Sequence, residues 1–178
     1  CGLRIGKPSG TVFAGSGNVS INSYVQTGSN FTSTPGTLTC RGAWTHSAGS
    51  FAHNSGTAIF TGGSSTADFP VSETFYNAYV QKNAGATLTV AAGDTLIAAA
   101  GLFHVDGLLN GGYEARQNLT VSATADGGTG VISFLVAGDQ SVIGNAGLTC
   151  GLKISKPSGT VSAGTTPLSI NSLAITSG

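Results

Sequence analysis

Seven carboxylates, three histidines and three cysteines are the side chains with the richest chemistry in this 178-residue chain. Cleaving a glycan would take two carboxylates facing one bond, with Lys or Arg to stabilise developing negative charge. The acids stand at Asp68, Glu73, Asp94, Asp106, Glu114, Asp126 and Asp139, and the closest pair, Asp68 and Glu73, is 73 − 68 = 5 positions apart. That scatter predicts turn residues in solvent, so no catalytic residue is assigned and an enzyme is not expected. His46, His53 and His104 belong to no His-x-Glu or His-Glu-x-x-His pattern, Cys-x-x-Cys is absent, and no metal site or cofactor is expected. Asp126-Gly-Gly-Thr-Gly130 shares the start of a Gly-rich calcium phrase, but one copy without the downstream Asp cannot stack into a site. The same glycines lack the Lys-Ser/Thr and the helix of a phosphate loop.

Softer chemistry remains. Trp44, Tyr76, Tyr79 and Tyr113 could offer ring faces to a sugar, with burial at a cap or module boundary as the competing role. Asn18-Val-Ser, Asn30-Phe-Thr and Asn118-Leu-Thr are glycosylation acceptors if the protein is secreted. His53 lies in an Asn-Ser-Gly turn phrase, where hydrogen bonding within the turn is its expected role. Lys7-Pro-Ser-Gly10 returns as Lys156-Pro-Ser-Gly159, a turn whose Lys either points to solvent or touches a neighbour or a glycan.

The elements that must position these residues are written in repeats. Cys1-Gly-Leu-Arg-Ile-Gly-Lys-Pro-Ser-Gly-Thr-Val returns as Cys150-Gly-Leu-Lys-Ile-Ser-Lys-Pro-Ser-Gly-Thr-Val, an offset of 150 − 1 = 149. Carried without gaps to Gly178, the match holds at 17 of 29 positions. Residues 1–149 are therefore one full module and 150–178 the start of a second, in what is expected to be a tandem array. Shorter periods lie inside. Phe31/Phe51, Gly36/Gly56 and Thr37/Thr57 echo at a spacing of 51 − 31 = 20, and Gly85, Gly93 and Gly101 recur at 93 − 85 = 8, with Leu88 and Leu96 in phase. A period of eight suits one short strand and one turn.

Alternation at period two in Thr37-Leu-Thr-Cys40, Thr87-Leu-Thr-Val90, Asn118-Leu-Thr-Val121 and Leu168-Ser-Ile-Asn171 predicts strands, and no helical period competes. Turns fall at Pro35-Gly36, Asn54-Ser-Gly56, Thr61-Gly-Gly63, Asn110-Gly-Gly112 and Asp126-Gly-Gly128, where Gly and Asn tolerate positive φ. The expectation is an all-β chain. A β-solenoid, parallel β-helix-like, is favoured because small residues and short repeats suit stacked turns; a β-sandwich or barrel is the alternative.

Charge narrows the partners. Lys plus Arg and Asp plus Glu number 7 each, 8% of the chain, against about 25% in an ordinary domain. That excludes a basic nucleic-acid surface and a polybasic membrane arm. Apolar runs such as 96–100 and 131–137 stay far short of the roughly 20 residues of a membrane helix. No membrane insertion is expected. Low charge also lowers repulsion between modules, which favours self-association.

Cysteine use points the same way. Cys1 and Cys150 are one module position, so each period carries two thiols, Cys1 and Cys40, and even parity predicts pairing in an oxidising compartment. With turns of about 20 residues, Cys1 and Cys40 lie two turns apart, about 9.6 Å, which is too far for an in-chain bond. Among Cys1, Cys40 and Cys150, at least one bond is therefore expected to join adjacent modules or chains.

Gly49-Ser-Phe-Ala-His-Asn-Ser-Gly-Thr-Ala-Ile-Phe-Thr-Gly-Gly63, followed by Glu73-Thr-Phe-Tyr-Asn-Ala-Tyr-Val80 and Gly85-Ala-Thr-Leu-Thr-Val90, resembles the Gly/Thr/Ser-rich β-solenoid repeats of large microbial surface proteins, adhesin-like or filament-forming. The resemblance covers 49–121, with Ala78 where Leu is usual. It implies a right-handed parallel β-helix or a related extracellular β-fold. The expected function is an extracellular structural protein, secreted or at the cell surface, that forms or extends a filament, sheath or adhesin stalk, with copies of itself or adjacent modules as partners. The alternative is a carbohydrate- or receptor-binding tip of adhesin or phage tail-fibre type, with glycans as partners.

Overall fold

The protein was analysed as a computed structural model, which describes residues 1–144 and 146–176; the last two residues of the second module's opening lie outside it. Every strand pairing is parallel, each strand lying against the strand one turn away. The chain winds as a β-solenoid of about nine turns, which rules out the barrel alternative. Among the described residues there is no helix, so none could cross a membrane.

Each turn crosses three faces. The first face stacks 3–5, 24–26, 44–46 and 65–68, then 87–90, 108–110, 126–127, 148–149 and 169–170. The second carries 11–13, 30–32, 50–52, 72–75, 95–98, 112–115, 131–134, 151–154 and 173–175. The third carries 19–21, 37–40, 57–60, 77–82, 101–104, 118–121, 140–144 and 161–163. Register partners in neighbouring turns are separated by as little as 118 − 101 = 17 positions and as much as 106 − 81 = 25.

The short periods of the sequence are this winding. Phe31 pairs with Phe51 and Thr37 with Thr57, one turn apart. Gly85, Gly93 and Gly101 open successive faces of a single turn, ahead of or at the start of 87–90, 95–98 and 101–104. Alternation then sends every second side chain inward. The core begins aromatic, with Tyr24 stacked on Trp44 at 3.9 Å and Phe51, Phe60 and Phe75 edge-on to the indole. It continues aliphatic through Leu88, Leu96, Leu102, Leu109 and Leu119, each fully buried. Burial of this kind contributes about 1.5–3 kcal/mol per large side chain.

Corners demand glycine where neighbouring turns almost touch. Gly49 has φ +93°, and a Cβ there would lie 1.7 Å from the Ser29 carbonyl oxygen of the turn before. No L side chain fits that approach.

Candidate functional site

Most of the chemistry-bearing side chains point inward or cap corners. Gln26 Nε2 donates to Ser29 O at 2.8 Å, His46 Nε2 to Gly49 O at 3.3 Å and His104 Nε2 to Gly107 O at 2.7 Å. In all three, a buried side chain closes the corner that follows it through the carbonyl three residues on. Each satisfies a carbonyl that would otherwise be costly to bury. Lys82, 1% exposed, donates to Thr61 O and Ser65 Oγ, both at 2.7 Å, and burial pulls its pKa down. Burial likewise lowers the pKa of His104.

His46 and Glu73 form the most reactive-looking pair, Nδ1 to Oε2 at 2.6 Å. Because Nε2 donates to Gly49 O, Nδ1 is the nitrogen that shares a proton with Glu73. Burial pushes the Glu73 carboxyl up to about 7, opposed by the neighbouring His46. Trp44 Nε1 also faces this carboxyl, yet it falls short of hydrogen-bond geometry and is a buried donor without a partner among the described residues. Both members of the pair are buried, so a substrate has no route to the shared proton. The pair ties the first face to the second.

Four of the remaining acids are separately engaged. Asp94 accepts from Phe69 N, Asp106 from Gly107 N and Asp126 from Gly85 N, while Glu114 pairs with Arg116 at 2.8 Å. No cluster of three metal-ligating side chains exists among the described residues. His53 Nδ1 accepts from Ser55 N–H at 3.0 Å, the turn role its sequence context suggests.

The aromatic set does not form a platform. Trp44 and Tyr113, each 1% exposed, are core residues, and the Tyr113 hydroxyl donates to Leu88 O. Tyr76 is 38% exposed at the corner between the second and third faces, beside His53 at 5.7 Å. Tyr79 lies outward on the third face, stacked on Phe103 at 4.0 Å and 9°. Those two are register partners one turn apart, so their ring normals run along the solenoid axis and present edges to solvent. Sugar stacking needs an exposed ring face. The four side chains therefore cannot act together on one ligand.

Within the chain no disulfide forms among the described residues, where all three cysteines are free. Cys40 and Cys150 are 1% and 0% exposed, so neither thiol can reach another chain. Burial raises both thiol pKa values, Cys150 to about 11. Cys1 is exposed, and it lies two turns from Cys40, since Asn22 N donates to Cys1 O and Ile21 pairs with Cys40. The acceptor asparagines Asn18, Asn30 and Asn118 are all exposed, with each Oδ1 held from the next turn by Thr37 N, Ser50 Oγ and Ser141 N respectively.

Two surfaces are left with unfilled apolar space. A groove of about 290 Å³ on the second face is lined by Val71, Ile97, Val131 and Leu135 beside Glu114. At the last turn, a second hollow of about 290 Å³ is lined by Leu152, Ile154, Val161, Leu168, Ile170 and Leu173. Leu173 and Ile175 are 53% and 70% exposed, and their alternation matches inward residues of the turns before.

A polar cluster joins this last part to the preceding turn. Lys156 Nζ donates to Gly138 O and Gln140 Oε1, and Thr160 N and Oγ1 both donate to Asp139 Oδ1 at 2.9 Å. Those bonds hold the Asp139 carboxyl below its usual range. Gln140, 3% exposed, passes the link on to Ala115 O and Gln117 O. Sequence reading found the repeated Lys but missed Asp139 and Gln140. Their signal was spacing, because Asp139 precedes Thr160 by 160 − 139 = 21 positions, which is one turn of the solenoid.

Compared with known proteins, the chain matches no family model, no curated protein and no solved structure.

Proposed function

We propose that this chain is a structural module of an extracellular filament, sheath or adhesin stalk, extended by stacking of repeats and by self-association. One observation carries this reading: the pairing that begins the first module is duplicated in the second. Leu3 pairs with Tyr24 and Ile5 with Gln26; the equivalent residues, Leu152 with Leu173 and Ile154 with Ile175, pair identically. A pairing that recurs in register from one module to the next favours continuation by further turns of the same kind. Near-absence of charge removes the repulsion that would keep modules apart. Secretion or display at the cell surface is part of this proposal and is supported by the composition and the repeat resemblance.

Electron microscopy of the purified protein, with and without reductant, tests it. Filaments one solenoid thick that persist under reductant are expected, since Cys40 and Cys150 are buried thiols. Discrete particles in both conditions would overturn it.

A second reading, a glycan- or receptor-binding tip, is favoured only by the second-face groove with Glu114 at its side. Glycan-array binding that Glu114→Gln abolishes without lowering the melting temperature would support that reading over the first.

A further inference from the structure

The segment 7–11, Lys-Pro-Ser-Gly-Thr, is repeated at 156–160, and the two copies stand in different circumstances. At 156–160 it grips the preceding turn through Lys156 on Gly138 O and Gln140 Oε1, and through Thr160 on Asp139. Gly159 sits at φ +84° with the Gly138 carbonyl oxygen only 2.3 Å from where a Cβ would be. At 7–11 the same backbone is already in place. Gly10 has φ +89°, yet a Cβ there would meet nothing but its own Lys7 side chain, at 3.7 Å. Both copies hold the same left-handed glycine, and at 156–160 the contact that requires it is in view.

We propose that 7–11 is the grip by which each repeat holds the Gly138-Asp139-Gln140 corner of the repeat before it, and that successive repeats are turned by one face of the solenoid. The partner is a second copy of this repeat lying ahead of residue 1, which rests on the structural role proposed above. Rotation follows from the register. Leu3 stacks on Tyr24, Trp44 and Ala67 of the first face, which runs on through 87–90, 108–110 and 126–127 to reach 148–149 seven turns after Leu3. Leu152, the repeat of Leu3, belongs instead to the second face, with Ile132, Tyr113 and Leu96. One repeat is therefore seven turns and one face. Lys7 lies at the corner between first and second faces, Lys156 at the corner between second and third. Each module thus advances about 35 Å, at about 4.8 Å per turn, and turns by a third of a revolution, so any surface feature recurs on all three faces after three modules.

Two readouts test this, and neither depends on filaments forming. In the 178-residue chain, Lys156→Met and Asp139→Asn are expected to speed amide exchange at Thr160 roughly tenfold, with Leu88 and Leu102 unchanged; unaltered exchange at Thr160 would overturn the grip. In a chain carrying a complete second copy in repeat phase, a crystal structure is expected to place the second copy's Lys on the first copy's Gly138–Gln140 corner, rotated by one face. In-phase copies, or two particles on an unstacked linker, would overturn the rotation. Absence of filaments from micrographs of the single chain would count against the proposed function alone.

Discussion

Glu73 and His46 illustrate how this protein uses residues that elsewhere do chemistry. A carboxyl with its pKa raised from 4.5 to about 7 binds its proton more tightly folded than unfolded. Between those values unfolding releases a proton, so its contribution favours the fold at low pH and is lost as pH rises through the window. Glu73→Gln keeps a donor for His46 Nδ1, its amide NH2, and removes the carboxyl's titration. Thermal midpoints should then show the wild type losing stability relative to the variant from pH 4.5 to about 7; parallel curves would refute the assignment. Trp44 is a second case. Its indole is central to the aromatic stack, so Trp44→Ala is expected to cost about 3–5 kcal/mol, read as a lowered unfolding midpoint. A surface sugar contact would instead leave the midpoint unchanged. Gly49→Ala is expected to cost at least about 1–3 kcal/mol from left-handed backbone strain, with the approach to Ser29 O adding to it.

At the level of strands and corners, tolerance to insertion should separate sharply. One residue inserted between Leu119 and Thr120 would send Val121, now fully buried, to the outside. Loss of folding is expected, by circular dichroism. The same insertion between Ser16 and Gly17, an exposed corner, should leave the melting curve nearly unchanged, because natural turns already vary through their corners. Equal tolerance at both places would contradict the register. These elements are also where the sequence was most legible. Echoes such as Phe31/Phe51 are contacts across one turn, and the short glycine period at Gly85, Gly93 and Gly101 is one face. What could not be read was which side of a strand faces in. Gln26, His46 and Glu73 point inward to close corners, while Tyr79 and Phe103 stack outward, so polarity alone misplaces them. For Trp44 that left burial and a surface contact both open, and the structure buries it. Parity in a repeat counts thiols without telling whether they are buried, as Cys40 and Cys150 are. The one-face offset was illegible too, since it emerges only when corners of unequal length are summed over seven turns.

Over the described residues the molecule is a prism whose three sides are ladders of parallel strands. Net charge is zero, with 8% charged residues, so end-on assembly should vary little between about 0.05 and 0.5 M salt, where screening changes strongly. Sedimentation across that range checks it, and a steep salt dependence would point to a charged interface that this surface does not offer. The most direct test of the central claim is X-ray diffraction from oriented filaments of the protein. Strands running across the axis, hydrogen-bonded along it, predict a strong reflection near about 4.8 Å on the meridian, with a longer axial repeat of about 35 Å from the seven-and-a-third-turn module. That strand-spacing reflection on the equator, or no ordered filament to align, would contradict a stalk built by continuing the solenoid.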